Sequence, residues 1–239
     1  YATSFNDCTV RKMNLADLSV SLIAGAAFIC AFADAPSGPG TTARFNNPIG
    51  ITHDGTWLYV ADYTNRRIRR VDPVTGATTT FAGTGAAASG NGAAATATFD
   101  LPHGLVYYAN RLYVAESVPT AQFVRTIDLS AAPYNVTTLA GTGAWGNADG
   151  AAGVAQFKKL RHLATDGTYL YATDKEAYSI RRIDLLTGLT STLAGWETRT
   201  TTVIGTGGGL SGTASFREPM GITSDGTYLY VSDASDFII

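Results

Sequence analysis

Residues 48–85 read PIGITHDGTWLYVADYTNRRIRRVDPVTGATTTFAGTG. Within this stretch four short runs stand out: Gly50-Ile51-Thr52-His53, Leu58-Tyr59-Val60-Ala61, Ile68-Arg69-Arg70-Val71 and Thr79-Thr80-Phe81-Ala82. Each has the length of a strand and is rich in residues that suit a pleated, half-buried surface. Turn signals separate the runs. Asp54-Gly55 supplies the positive φ of a tight hairpin, and Asp72-Pro73-Val74-Thr75-Gly76 is a second turn signature. The stretch therefore predicts four hairpin-linked strands, A to D.

The pattern recurs along the chain. Tyr59 stands in Leu58-Tyr59-Val60-Ala61-Asp62, and Tyr113, Tyr171 and Tyr230 stand in equivalent runs, with a truncated copy at Tyr1-Ala2-Thr3-Ser4. The tyrosines are spaced 58, 54, 58 and 59 residues apart. Phe45, Phe99, Phe157 and Phe216 each precede their tyrosine by 14 residues. Downstream come the apolar-Arg pairs Val10-Arg11, Ile68-Arg69, Val124-Arg125 and Ile180-Arg181, then Ile23-Ala24-Gly25, Phe81-Ala82-Gly83, Leu139-Ala140-Gly141 and Leu193-Ala194-Gly195. Length varies mainly in the Gly/Ala/Thr-rich stretches after Ala-Gly, as loops do. A unit of four strands with this period describes a blade of an all-β propeller. The units run about 1–44, 45–98, 99–156, 157–215 and 216–239, which gives three complete blades and partial ones at both ends.

The pattern Pro-x-Gly-Ile, Asp-Gly-Thr-x-Leu-Tyr-Val-Ala-Asp, Ile-Arg-x-Val-Asp and Thr-Thr-x-Ala-Gly-Thr-Gly, best preserved from Pro48 to Gly85, resembles the NHL-repeat β-propellers, especially bacterial secreted ones. The resemblance covers essentially the whole chain and implies a fold rather than one activity. Relatives of that kind include RNA-binding domains, peptide-amidating lyases, lactonase-like hydrolases and interaction scaffolds.

Composition narrows the classes. The 239 residues carry 26 Gly and 33 Thr but only 4 Lys, with 15% charged and 45% hydrophobic residues. That argues against a coiled coil, and 10% aromatic residues argue against disorder. A net charge of −2 lacks the positive field of a nucleic-acid binder. The uncharged run Leu18 to Ala33 resembles a secretory signal, but it falls in register with later copies and reads as a strand and a loop. No run reaches membrane-spanning length.

Strand alternation puts the D-to-A loops and B-to-C turns on one face of the blades, where a ligand is expected. His53 ends a strand A and reads as exposed and structural. His103 and His162 start strand A in adjacent units, with Arg161 beside His162. They read chiefly as polar groups at a wet channel mouth, because a catalytic metal usually has three protein ligands. Asp100, Glu116, Asp149, Asp174, Glu176, Glu218 and Asp233 read as acidic groups of the loop face. The strand-C arginines read as serving the repeat, by bridging blades or covering an aromatic stem, and Arg66, Arg67 and Arg70 as an ion-paired surface rather than an RNA patch. Trp145 and Trp196 are contact candidates. Cys8 and Cys30 fall on one face of one unit, so a disulfide and two unrelated thiols are both open.

These readings favour a non-enzymatic extracellular, periplasmic or cell-surface module for protein interaction or assembly. A protein partner or self-association is expected, with a polysaccharide as a further option. Neither nucleic acid nor a cofactor is expected. The binding candidates are His103, Arg161, His162, Trp145, Trp196 and Glu218, with no catalytic or metal set. The alternative is a lyase or lactonase-like hydrolase with a channel metal near His103, His162 and Glu218. Four periods plus about ten residues also predict an excerpt of a longer propeller, or a subunit that completes blades with a neighbour.

Overall fold

A computed structural model describes residues 1–118, 121–195 and 215–234. The described residues form strands, two short 3-10 turns and loops, with no α-helix among them. No helix among them is long and apolar enough to cross a membrane. The first sheet has the order β1-β2-β3, made of Ala2–Ser4, Thr9–Met13 and Val20–Gly25. The second, β4-β5-β6-β7, is made of Pro48–His53, Leu58–Asp62, Arg67–Val71 and Thr78–Ala82. A third sheet has the order β8-β12-β11-β10-β9, where β8 is Gly92–Ala93, β9 Pro102–Tyr108, β10 Arg111–Val118, β11 Ala121–Asp128 and β12 Asn135–Ala140. The fourth, β13-β14-β15-β16, comprises Leu160–Thr165, Tyr169–Asp174, Ser179–Asp184 and Thr190–Gly195. Pro219–Ser224 (β17) and Leu229–Asp233 (β18) form a two-stranded sheet. The signal-like run Leu18 to Ala33 contains β3 and the loop after it.

The chain divides into two compact units, residues 1–112 with 127–136 and residues 113–126 with 137–239. In the first unit the core gathers Val10, Ala24, Ala43, Phe45, Leu58, Val60 and Val71. Phe45 is the conserved-spacing phenylalanine of its copy, and it is fully buried. The guanidinium of Arg69 lies 5.1 Å from its ring. Arg69 is itself buried and donates to the Asp62 carboxylate at 2.7 Å, the Arg44 carbonyl at 2.9 Å, the Ala33 carbonyl at 2.8 Å and Asp34 at 2.6 Å. The second unit repeats this arrangement. Arg181 lies 5.1 Å from the Phe157 ring and donates to the Gln156 and Ala148 carbonyls and to Asp149. Arg125 meets Glu116 at 2.7 Å, both buried. Arg69, Arg125 and Arg181 are thus buried stitches, whereas Arg11, the strand-C arginine of the first copy, is part-exposed and pairs with Asp7 at 3.1 Å.

Two further devices explain the repeat. Asp54 accepts the N–H groups of Thr56 and Trp57 at 2.8 and 2.7 Å and the Tyr59 hydroxyl at 2.9 Å, and Asp166 and Asp225 do the same for Tyr171 and Tyr230. The tyrosine therefore pins its own A-to-B hairpin. In strand D, the residue before Ala-Gly is an extra one. Ile68 pairs with Ala82 and Arg69 with Thr80, so Phe81 has no partner across the ladder, and Ile23 and Leu193 take the same place in β3 and β16. This β-bulge recurs with the Ala-Gly signature and bends the strand.

Candidate functional site

The acidic residues at the ends of the B strands are not surface ligands. Glu116, Asp174 and Asp233 are buried. Asp174 accepts the N–H groups of Lys158 and Lys159, and Asp233 those of Arg217 and Glu218. Asp62 does this for Asn46 at 2.8 Å. Their position at a strand end reads as a loop in sequence, but backbone donors 15 or 16 residues upstream take up the charge. Burying an acid this way satisfies both donor and acceptor.

His103, in the first unit, is buried rather than set in a wet mouth, with its ring edge-on to Tyr63 at 6.0 Å. His53 is exposed. In the second unit β13 carries Arg161 and His162 side by side. Burial, reinforced by the neighbouring Arg161, holds the His162 imidazole below its usual range. The His162 backbone N–H donates to the Thr173 hydroxyl, which in turn donates to the Met220 carbonyl at 2.8 Å. Trp145 is 54% exposed and has Lys158 over its ring at 4.9 Å. Lys159 meets Glu176 at 2.6 Å, and this bond leads in lowering the Glu176 carboxyl, with a further one from Trp145. Glu218 pairs with Lys175 at 3.4 Å. In the second unit, then, Trp145 and Glu218 each lie beside a lysine. Trp196 lies outside the described residues. Among those residues no group of three His, Cys, Asp or Glu side chains is placed to hold a metal ion.

Cys8 and Cys30 are joined in a disulfide, with Cα atoms 5.3 Å apart. Arg66 pairs with Asp100 at 2.9 Å, whereas Arg67 and Arg70 lie over the rings of Phe32 and Trp57.

Composition gave no sign of a group of exposed apolar side chains on the first sheet. Met13 and Val20 pair directly across the β2–β3 ladder, and both are exposed. Leu15 and Leu18, 85% and 69% exposed, occupy the turn between the two strands, and Leu22 is exposed on β3. Phe28, 78% exposed, and Ile29 and Phe32 follow on the next loop. The signal lay in the apolar residues of the Leu18–Ala33 run, which register alone explains as strand and loop.

No family model matches the chain. A bovine (Bos taurus) protein named NHL repeat-containing protein 2 is 41% identical over 118 residues, which is 46% of this chain. The chain spans only 16% of that relative's length. Among solved structures, a chain of a nidogen/laminin complex is similar over 98% of this chain and 66% of its own, with a TM-score of 0.65 at 15% identity. A catalytically inactive virginiamycin B lyase from Staphylococcus aureus, solved with quinupristin, is similar over 98% and 59%, with a TM-score of 0.54 at 14% identity.

Proposed function

We propose, on the premise that this chain belongs to the NHL-repeat β-propeller family, that it is a non-enzymatic extracellular module for protein interaction and assembly. The observation that carries the reading is the apolar surface on the first sheet, built by Met13, Leu15, Leu18, Val20 and Leu22. Exposed apolar side chains gathered on one hairpin are costly in water and suit a surface that another polypeptide covers. The Cys8–Cys30 disulfide in the same unit suits an oxidising compartment. The fold itself recurs in a chain solved in a nidogen/laminin complex, a precedent for the scaffold in a protein assembly.

Light scattering coupled to size exclusion tests this with a second copy of the chain as the partner. The mass is expected to rise above 25.0 kDa with concentration, and the double substitution Leu15→Glu, Leu18→Glu to restore the monomer without changing the circular dichroism. A mass that stays at the monomer value at every concentration would overturn the self-association form of the proposal.

A further inference from the structure

Strand periodicity gives the second sheet two unlike faces. Leu58, Val60 and Val71 point into the core with Phe45. Trp57, Tyr59 and Arg70 fall on the opposite face, where Tyr59 and Arg70 are direct cross-strand partners. The bulged residue Phe81 joins them, its ring 5.1 Å from Tyr59 and 5.2 Å from Tyr134. Together with Asn110 at the tip of the β9–β10 hairpin, these residues line a groove of about 270 Å³ within the first unit.

The groove holds one cation, Arg70, and one carboxylate, Asp54. The Arg70 guanidinium lies 4.5 Å from the Trp57 ring, and its Nε is buried without a hydrogen-bond partner. Asp54, the carboxylate of the groove, is already filled by two N–H groups and the Tyr59 hydroxyl. Among the described residues Arg70 has no ion-pair partner. Asn110 accepts the Tyr107 hydroxyl on Oδ1 at 3.1 Å, which leaves Nδ2 to donate. The groove thus offers a stacking wall, a cation and an amide donor.

The repeat does not demand this groove. In the second unit Arg182 likewise lies over Tyr169, at 4.8 Å, and Tyr171 bonds Asp166. There, however, the bulged position is Leu193. The aromatic wall of Phe81 and Tyr134 is an addition to the repeat element, which points to a ligand.

We propose that the groove binds an acidic carbohydrate, with one hexuronate ring stacked on the aromatic wall and its carboxylate on Arg70. A pyranose presents C–H groups to an aromatic face and hydroxyls to Asn110, and its carboxylate pairs with Arg70, which Asp54 does not. Small-ligand sites run from roughly 300 Å³ upward, so this volume suits a single ring of a chain whose neighbours remain in solvent. The site is separate from the apolar surface of the first sheet, and either can fail without the other.

Calorimetric titration with trigalacturonate tests the assignment, with maltotriose as the neutral control and triglutamate as the anionic peptide control. Trigalacturonate binds saturably, and maltotriose binds at least about tenfold more weakly, because a hydrogen-bonded charge pair is lost. Arg70→Gln lowers trigalacturonate affinity by about tenfold or more. Asn110→Ala, at an exposed hairpin tip, lowers it by about fivefold with the circular dichroism unchanged, so the test survives if the Arg70 variant misfolds. Equal binding of maltotriose or triglutamate, no binding of trigalacturonate, or full affinity in a folded Asn110→Ala variant would each overturn the proposal.

Discussion

Asp62 shows how one buried carboxylate holds a repeat together. It accepts from the Asn46 N–H, the Asn65 amide and Arg69, and has no access to water. Removing it leaves the buried Arg69 with only the half-exposed Asp34 as a charged partner, at a cost approaching the roughly 3–5 kcal/mol of a broken buried pair. Asp62→Ala is therefore expected to lower stability in urea unfolding by that amount. Asp34→Ala removes the half-exposed partner of the same arginine and is expected to cost about 0–1 kcal/mol. A second prediction concerns pH. In Asp72, Asp184 and Asp225 the N–H bonds from Thr75, Thr187 and Tyr228 lead in holding the carboxyl below its usual 3.8. In Asp54 and Asp166 burial pushes the other way, and the N–H and tyrosine bonds outweigh it. Each group is more acidic folded than unfolded, so its contribution is complete above the unfolded value and is lost as pH falls through the folded one. Urea midpoints should fall below about pH 4, and Asp166→Asn should flatten that fall. Sequence spacing exposed the repeated tyrosine and arginine. It also exposed the repeated Asp-Gly turn five residues before the tyrosine, but not the bond between them, nor the carbonyl that Arg69 reaches across 36 residues of loop.

The four strands of the best copy appear where the pattern of turns and apolar runs puts them, with β4 starting at Pro48, two residues earlier than the pattern implies. Proline can open a strand because its missing donor faces away from the ladder. The bulge in strand D was not legible, since Ile23, Phe81 and Leu193 look like ordinary strand residues. The C-to-D turn supplies a third prediction. Gly76 has φ +73°, and a Cβ there would run into the Ile23 carbonyl and lie 2.9 Å from the Gly40 Cα. Gly55 has φ +96° with open space around it. Gly55→Ala should cost only the left-handed strain of about 1–2 kcal/mol. Gly76→Ala adds a backbone collision and should cost clearly more, as paired urea melts of the two variants will show.

For the whole chain, the all-β class and the four-stranded unit were legible because every copy repeats the same turn chemistry. The groove on the second sheet was not, because Phe81, Asn110 and Tyr134 come from positions that differ between copies and meet only in the fold. The disulfide was left open by sequence because proximity in space, not spacing, decides it. Cys8 and Cys30 are 22 residues apart, and closing a loop of that order contributes about 3 kcal/mol through the unfolded chain. Reduction should lower the urea midpoint accordingly, and a Cys8→Ser, Cys30→Ser variant should not respond to reductant.

The hairpin order of the sheets bears on how the chain is made. β4 to β7, and β13 to β16, pair only with their neighbours in sequence within their sheets. Local pairing carries little loop-closure entropy and speeds folding. A ribosome releasing this chain can therefore leave a finished sheet behind it before the next has been translated, and few strand edges wait unpaired for residues still to come.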